Sequence, residues 1–103
     1  MKLNNTEVHL QPVHTKQVDG NFVLHEPVSN RVIVFNETSS FIWKMLLDCH
    51  ATGNTISTSV ITNRLLVAYN ISIDCKLDIT KDVERILSEF FHFSLLHSGI
   101  NDA

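Results

Sequence analysis

Between Asn21 and Leu47 the apolar positions change their spacing, from the tight clustering of an extended chain to the three-and-four spacing of a helix. Arg31-Val32-Ile33-Val34-Phe35 has no polar interruption after Arg31, and its β-branched and aromatic residues are those of a strand. An apolar run that does not alternate predicts a strand covered on both faces. Asn36 follows as a helix N-cap, with Glu37 adding negative charge to the first turn. Phe41, Ile42, Met45, Leu46 and Cys49 then make one apolar helical stripe, with Trp43 one position off it as a flank of the core.

The rest of the chain reads outward from that stretch. Asp19-Gly20, between Lys16-Gln17-Val18 and Asn21-Phe22-Val23-Leu24, predicts a tight hairpin, and Pro27-Val28-Ser29-Asn30 a second turn. Three antiparallel strands in the order 1-2-3 result, which puts the apolar third strand at an edge. After a loop over Asp48–Asn54, Ser57 or Thr58 caps a second helix with Val60, Ile61, Leu65, Leu66, Ala68 and Tyr69 on its buried side. Asn70 to Leu77 reads as irregular. Asp78 or Thr80 opens a third helix with Ile79, Val83, Ile86, Leu87 and Phe90 on one side and Asp82, Arg85 and Glu89 on another. Phe90, Phe91 and Phe93 cannot share one helical face, so at least one is expected in a groove or at the chain's end. The expected fold is α+β, a three-stranded antiparallel sheet plus three helices in the order βββααα. Residues 1–12 show no clear period and are expected to be a mobile or loosely docked arm, 13–97 a single domain, and 98–103 a tail.

The 103 residues, 44% hydrophobic and 18% charged, fit one ordinary globular domain. No apolar run approaches membrane-spanning length and the N-terminus lacks a signal-peptide core, so a cytoplasmic protein without a membrane partner is expected. Net charge is -3, and the eight basic residues are scattered rather than gathered into a stripe, which disfavours nucleic acid as a partner. Cys49 and Cys75 have no metal-ligand spacing and are expected as free thiols. None of His9, His14, His25, His50, His92 and His97 pairs at i, i+4 on a predicted helix, the carboxylates are dispersed, and three glycines make no phosphate loop. No enzyme activity, cofactor or metal is expected from this pattern.

What remains is binding. Arg31 to Phe35 reads either as a core strand covered by the chain's own helix or as a receptor edge to which a guest peptide adds as a further strand. The third helix offers the same choice, its apolar side as core or as groove, and its charges as a solvated face or as a recognition wall.

Phe22-Val23-Leu24, Glu26-Pro27, Arg31 to Phe35, Asn36-Glu37-Thr38 and Ile42-Trp43, then Tyr69 closing a helix and Asp82-Val83 opening another, together resemble the PqqD-like family, the peptide chaperones also called RiPP recognition elements. The likeness spans about residues 17 to 96. It implies a winged helix-turn-helix with a three-stranded sheet, and a protein that does no chemistry itself. Such proteins bind the leader of a ribosomally made precursor peptide as a strand added to the third strand, beside the third helix, and present the core segment to a modifying enzyme. Carried over, the cleft would be Arg31, Val32, Ile33, Val34 and Phe35 on one wall and Asp82, Arg85, Ile86, Glu89 and Phe90 on the other. The chain departs from the family pattern at Asp48-Cys49, in the length of its two helix connections and at Ser94, all outside that cleft. Two other readings compete. A winged-helix DNA-binding regulator would set the third helix in the major groove, but from Thr80 to His92 Lys81 and Arg85 stand against Asp82, Glu84 and Glu89, a net of -1. A self-pairing structural subunit would use the same edge, and the choice between monomer and dimer is open to sedimentation.

Overall fold

Asp19 and Gly20 both take positive φ, 54° and 84°, as a two-residue I′-type loop requires. They join β2 (His14–Val18) to β3 (Asn21–Glu26) with Val18 opposite Asn21 and His14 opposite His25. The computed structural model describes residues 2–98. A second turn leads to β4 (Arg31–Val34), which pairs with β3 through Val23–Val34, Leu24–Ile33, His25–Val32 and Glu26–Arg31. The sheet order is β2-β3-β4. Asn36 caps α1 (Glu37–Thr52), its side chain accepting from the Ser39 N–H. The helix runs through most of the segment expected as a loop, and ends where Gly53 takes a left-handed φ of 73° and donates its N–H to the Cys49 carbonyl.

Ser57 caps α2 (Thr58–Ala68) by accepting from the Val60 N–H, and Ile61, Leu65 and Leu66 are buried. Val60 and Tyr69, expected inside, are each 38% exposed, and Ala68 is exposed as well. A 3-10 turn over Ile73–Cys75 runs into α3 (Lys76–His92), which starts earlier than the Asp78 or Thr80 cap predicts. Ser72 caps the 3-10 turn instead and the two helical segments fuse.

The expected succession of three strands and three helices is present, but there are two sheets rather than one. β1 (Thr6–Leu10) lies between β5 (Thr55–Ile56) and β6 (Leu96–Ser98) in a second antiparallel sheet. The N-terminal segment expected as a loose arm is therefore docked. Thr6, Val8 and Leu10 point inward while Glu7 and His9 point out, and Leu3 is 2% exposed. Leu3 donates its N–H to Thr58 Oγ1 at 2.8 Å and accepts from the Thr58 N–H at 2.9 Å. The expected tail from Ser98 begins in β6, and its residues 99–103 lie outside the described residues.

The core lies between the helices and the inner faces of both sheets, around Leu24, Ile42, Trp43, Leu46, Ile61, Leu87 and Leu95, each 0% exposed. Trp43 is at its centre and not on its flank. Its ring meets Phe35 at 5.7 Å and Phe90 at 5.5 Å, and those two stack at 4.9 Å. The helical stripe widens by one position because the end of β4 brings Phe35 against that side of α1.

Deleting residues 2–10 removes Leu3, Val8 and Leu10 from the core, and at about 1.5–3 kcal/mol per buried side chain this costs about 4 kcal/mol or more. Urea denaturation of the shortened chain should show this loss. A stability within about 1 kcal/mol of the full chain would mean that β1 is not part of the cooperative unit.

Candidate functional site

Backbone direction along β4 follows from one hydrogen bond. The Phe35 N–H donates to the Phe22 carbonyl at 2.9 Å, and bonding alternates along an antiparallel pair. Arg31, Ile33 and Phe35 therefore turn their backbone groups to β3, and Val32 and Val34 turn theirs away. On that side β4 is the sheet's edge. Side chains divide the same way. Arg31 and Ile33 are half-buried and Phe35 is buried on the helix side, whereas Val32 and Val34 are 65% and 72% exposed on the other. Among the described residues, the expected cover over the second face of this strand is thus absent. The run Val32-Ile33-Val34 reflects strand propensity in a single-layer sheet, with helices on one face only.

Beside the open edge lies a groove of about 440 Å³, lined by Arg31 to Phe35 and Asn36 on one side and by Glu89, Phe90 and Phe93 of the α3 end on the other, with Ser39 of α1. Arg31 closes one end. Its Nη2 donates to the Phe93 carbonyl at 3.0 Å, its Nε donates to Ser29 Oγ at 2.9 Å, and its guanidinium lies 5.2 Å from the Phe93 ring centroid. A cation at the last carbonyls of α3 is favoured by the helix dipole, so the contact also anchors helix to strand.

Of the residues expected in the cleft, the fold brings together Arg31, Val32, Ile33, Val34, Phe35, Glu89 and Phe90. It does not bring Asp82, Arg85 and Ile86 to the groove. Ile86 is 2% exposed in the core, Asp82 is exposed, and Arg85 Nη1 pairs with Glu89 Oε2 at 3.0 Å on the helix surface. Helical periodicity cannot separate the core-facing turn of α3 from the turn that reaches the groove. Phe93, Asn36 and Ser39 complete the lining. Phe93 was signalled by the crowding of three phenylalanines near the helix end, whereas Asn36 and Ser39 read as capping residues only.

The β3–β4 turn that aims the edge is held by one carboxylate. Glu26, 6% exposed, accepts from Val28 N–H at 2.7 Å, Ser29 N–H at 2.9 Å and Ser29 Oγ at 2.6 Å. These bonds, the Ser29 hydroxyl first, hold its carboxyl below the usual range, with a smaller contribution from the Arg31 charge.

A cavity between α1 and α2, about 380 Å³, is lined in part by Cys49, Asp48 and Arg64. Burial pushes the Cys49 thiol up against the opposite pull of Arg64, so it stays protonated near neutrality and is a poor nucleophile. Among the described residues, no three histidine, cysteine or acidic side chains gather as metal ligands, and no helix is long and apolar enough to cross a membrane.

No family model and no curated protein matches the chain. A solved structure, "TbiB1 in Complex with the TbiA(beta) Leader Peptide", is similar to it with a TM-score of 0.69 at 18% identity, over 99% of this chain and 100% of that one. The likeness is one of fold.

Because the folded-state pKa of Glu26 is depressed, its stabilisation is fully present above the ordinary carboxyl value of 4.5 and is lost as pH falls through the lowered value. Glu26→Gln should therefore lower the melting temperature at neutral pH, and the gap to the unmodified protein should narrow as the pH drops below 4.5. Melting curves across that range check this, and a gap independent of pH would remove the carboxylate from the account.

Proposed function

We propose that this protein is a PqqD-like RiPP recognition element, a non-catalytic module that binds the leader of a ribosomally synthesised precursor peptide and delivers it to a modifying enzyme. The observation that carries the reading is the open edge of β4 running beside an apolar groove, in a fold similar to that of a protein solved with a leader peptide. The outward N–H and C=O groups of Val32 and Val34 would bond the leader as a fourth strand. Its alternate side chains would enter the groove over Ile33, Phe90 and Phe93. Glu89 on one wall and Arg31 at the end would fix register by charge. Arg85 would act through its pair with Glu89, and Ile86 from beneath as support, whereas Asp82, exposed two turns before Glu89 on α3, has no part in this reading.

The edge is held in place before any strand arrives. Arg31, the Glu26 turn and the Asn36 cap already hold both ends of β4, which lowers the ordering cost that a bound peptide would otherwise meet.

Titration calorimetry with the leader half of any short precursor peptide encoded next to this chain should give one-to-one binding, with no response to duplex DNA. Val34→Pro removes one outward N–H without touching the ladder to β3, so the domain should stay folded while affinity falls about tenfold or more. Undiminished affinity in the folded variant would sink strand addition at β4. DNA binding that weakens with salt would instead favour a regulator.

A further inference from the structure

The groove accounts for only one face of the added strand. On the other face Val32 and Val34 are 65% and 72% exposed, and register places Val23 directly beside Val34 and His25 beside Val32. Val23 and His25 are half-buried. Three valines thus form a continuous apolar strip that reaches the open edge, on a sheet face that no helix among the described residues covers. Away from the edge the strip gives way to the stacked pair His14 and His25, 5.8 Å apart, and to Lys16 opposite Val23. Val18, opposite Asn21 and 48% exposed, is the one apolar residue that β2 adds to this face, so most of the apolar strip lies towards the edge where a guest strand would lie.

Resting on the strand-addition reading, we infer that the peptide is recognised on both faces. Its binding segment carries apolar, preferably β-branched, residues in register with Val32 and Val34 on either side of the apolar residue that faces the groove. The ligand class is then a short contiguous apolar run, in place of the alternating apolar and polar pattern that a groove alone would select. The geometry dictates the register. For a guest that adds antiparallel, its residues opposite Val32 and Val34 share the hydrogen-bonded pairs and project beside those two side chains, whereas the residue opposite Ile33 projects into the groove. Apolar cross-strand pairs each add a modest increment, and two of them together correspond to about a three- to tenfold gain in affinity. A serine or lysine at either outer position would leave its valine in water and forfeit that gain.

Panning a phage-displayed library of random peptides on the immobilised protein, and in parallel on the Val32→Thr/Val34→Thr and Val34→Pro variants, tests this directly. Threonine keeps the branched shape and strand propensity at both exposed positions, so the double variant should fold, as a melting curve would verify. The expected result is enrichment of contiguous apolar runs on the unmodified protein. Peptides synthesised from that pool should bind the threonine variant about three- to tenfold more weakly and the proline variant weakest. Alternating sequences that bind the unmodified and threonine proteins equally would overturn the two-faced reading while leaving strand addition standing. An empty pool, or one equally insensitive to Val34→Pro, would overturn both. Loss of folding in the threonine variant would overturn the claim that these valines serve the guest and not the domain.

Discussion

Phe35, Trp43 and Phe90 meet at centroid distances of 4.9–5.7 Å, and through them the edge strand, the first helix and the third helix become one rigid frame. Phe35 is the last residue of the apolar run and Asn36 the cap of α1, so two consecutive residues set both where β4 ends and where the helix begins. Phe90 then fixes how far α3 stands from the strand, which is the width of the groove. The buried Trp43 Nε1 has no hydrogen-bond partner among the described residues. That desolvation costs about 1–3 kcal/mol, offset by the large aromatic area the ring buries. Shape, more than polar satisfaction, governs this junction.

Local chemistry made much of this architecture readable from the sequence. Asp19-Gly20 names its turn by its backbone preference, Asn36 caps α1 and Ser57, one of two candidates with Thr58, caps α2, and the apolar side of α3 carries Val83, Ile86, Leu87 and Phe90 as its period requires. What was illegible depends on distant partners. Thr6-Glu7-Val8-His9-Leu10 does alternate, but its companions are the two residues of β5 and the three of β6, each too short to signal a strand. The sheet exists only once the helices have brought those pieces together.

The groove was legible in its strand wall and only partly in its helix wall. Arg31 to Phe35 line it as a block because a strand presents consecutive residues to its edge. On a helix, which turn reaches the neighbour is set by crossing geometry, and this moved the wall from Asp82 and Arg85 towards Glu89, Phe90 and Phe93. The opposite error arose at Val32 and Val34. An apolar run implies burial only if something lies on each face, and here no element among the described residues lies on the second face of the sheet.

The second sheet bears on why that edge is open. An uncovered apolar edge invites pairing, and the chain has a spare strand of suitable length and alternation in β1. β1 is held elsewhere. Its inward residues fill the core beneath α1, Leu3 is hydrogen-bonded at both backbone groups to Thr58, and β5 and β6 occupy its two sides. The N-terminal segment could reach β4 only by giving up the burial of Leu3, Val8 and Leu10. Intramolecular capping of the edge is therefore disfavoured by the same contacts that stabilise the domain. With only four residues, and with Arg31 committed to Phe93 at its start, β4 offers a short ladder, a feature that blunts open-ended edge-to-edge aggregation. Among the described residues, no strand of the chain occupies the outer side of β4, and the edge is held at both ends by contacts that also stabilise the domain.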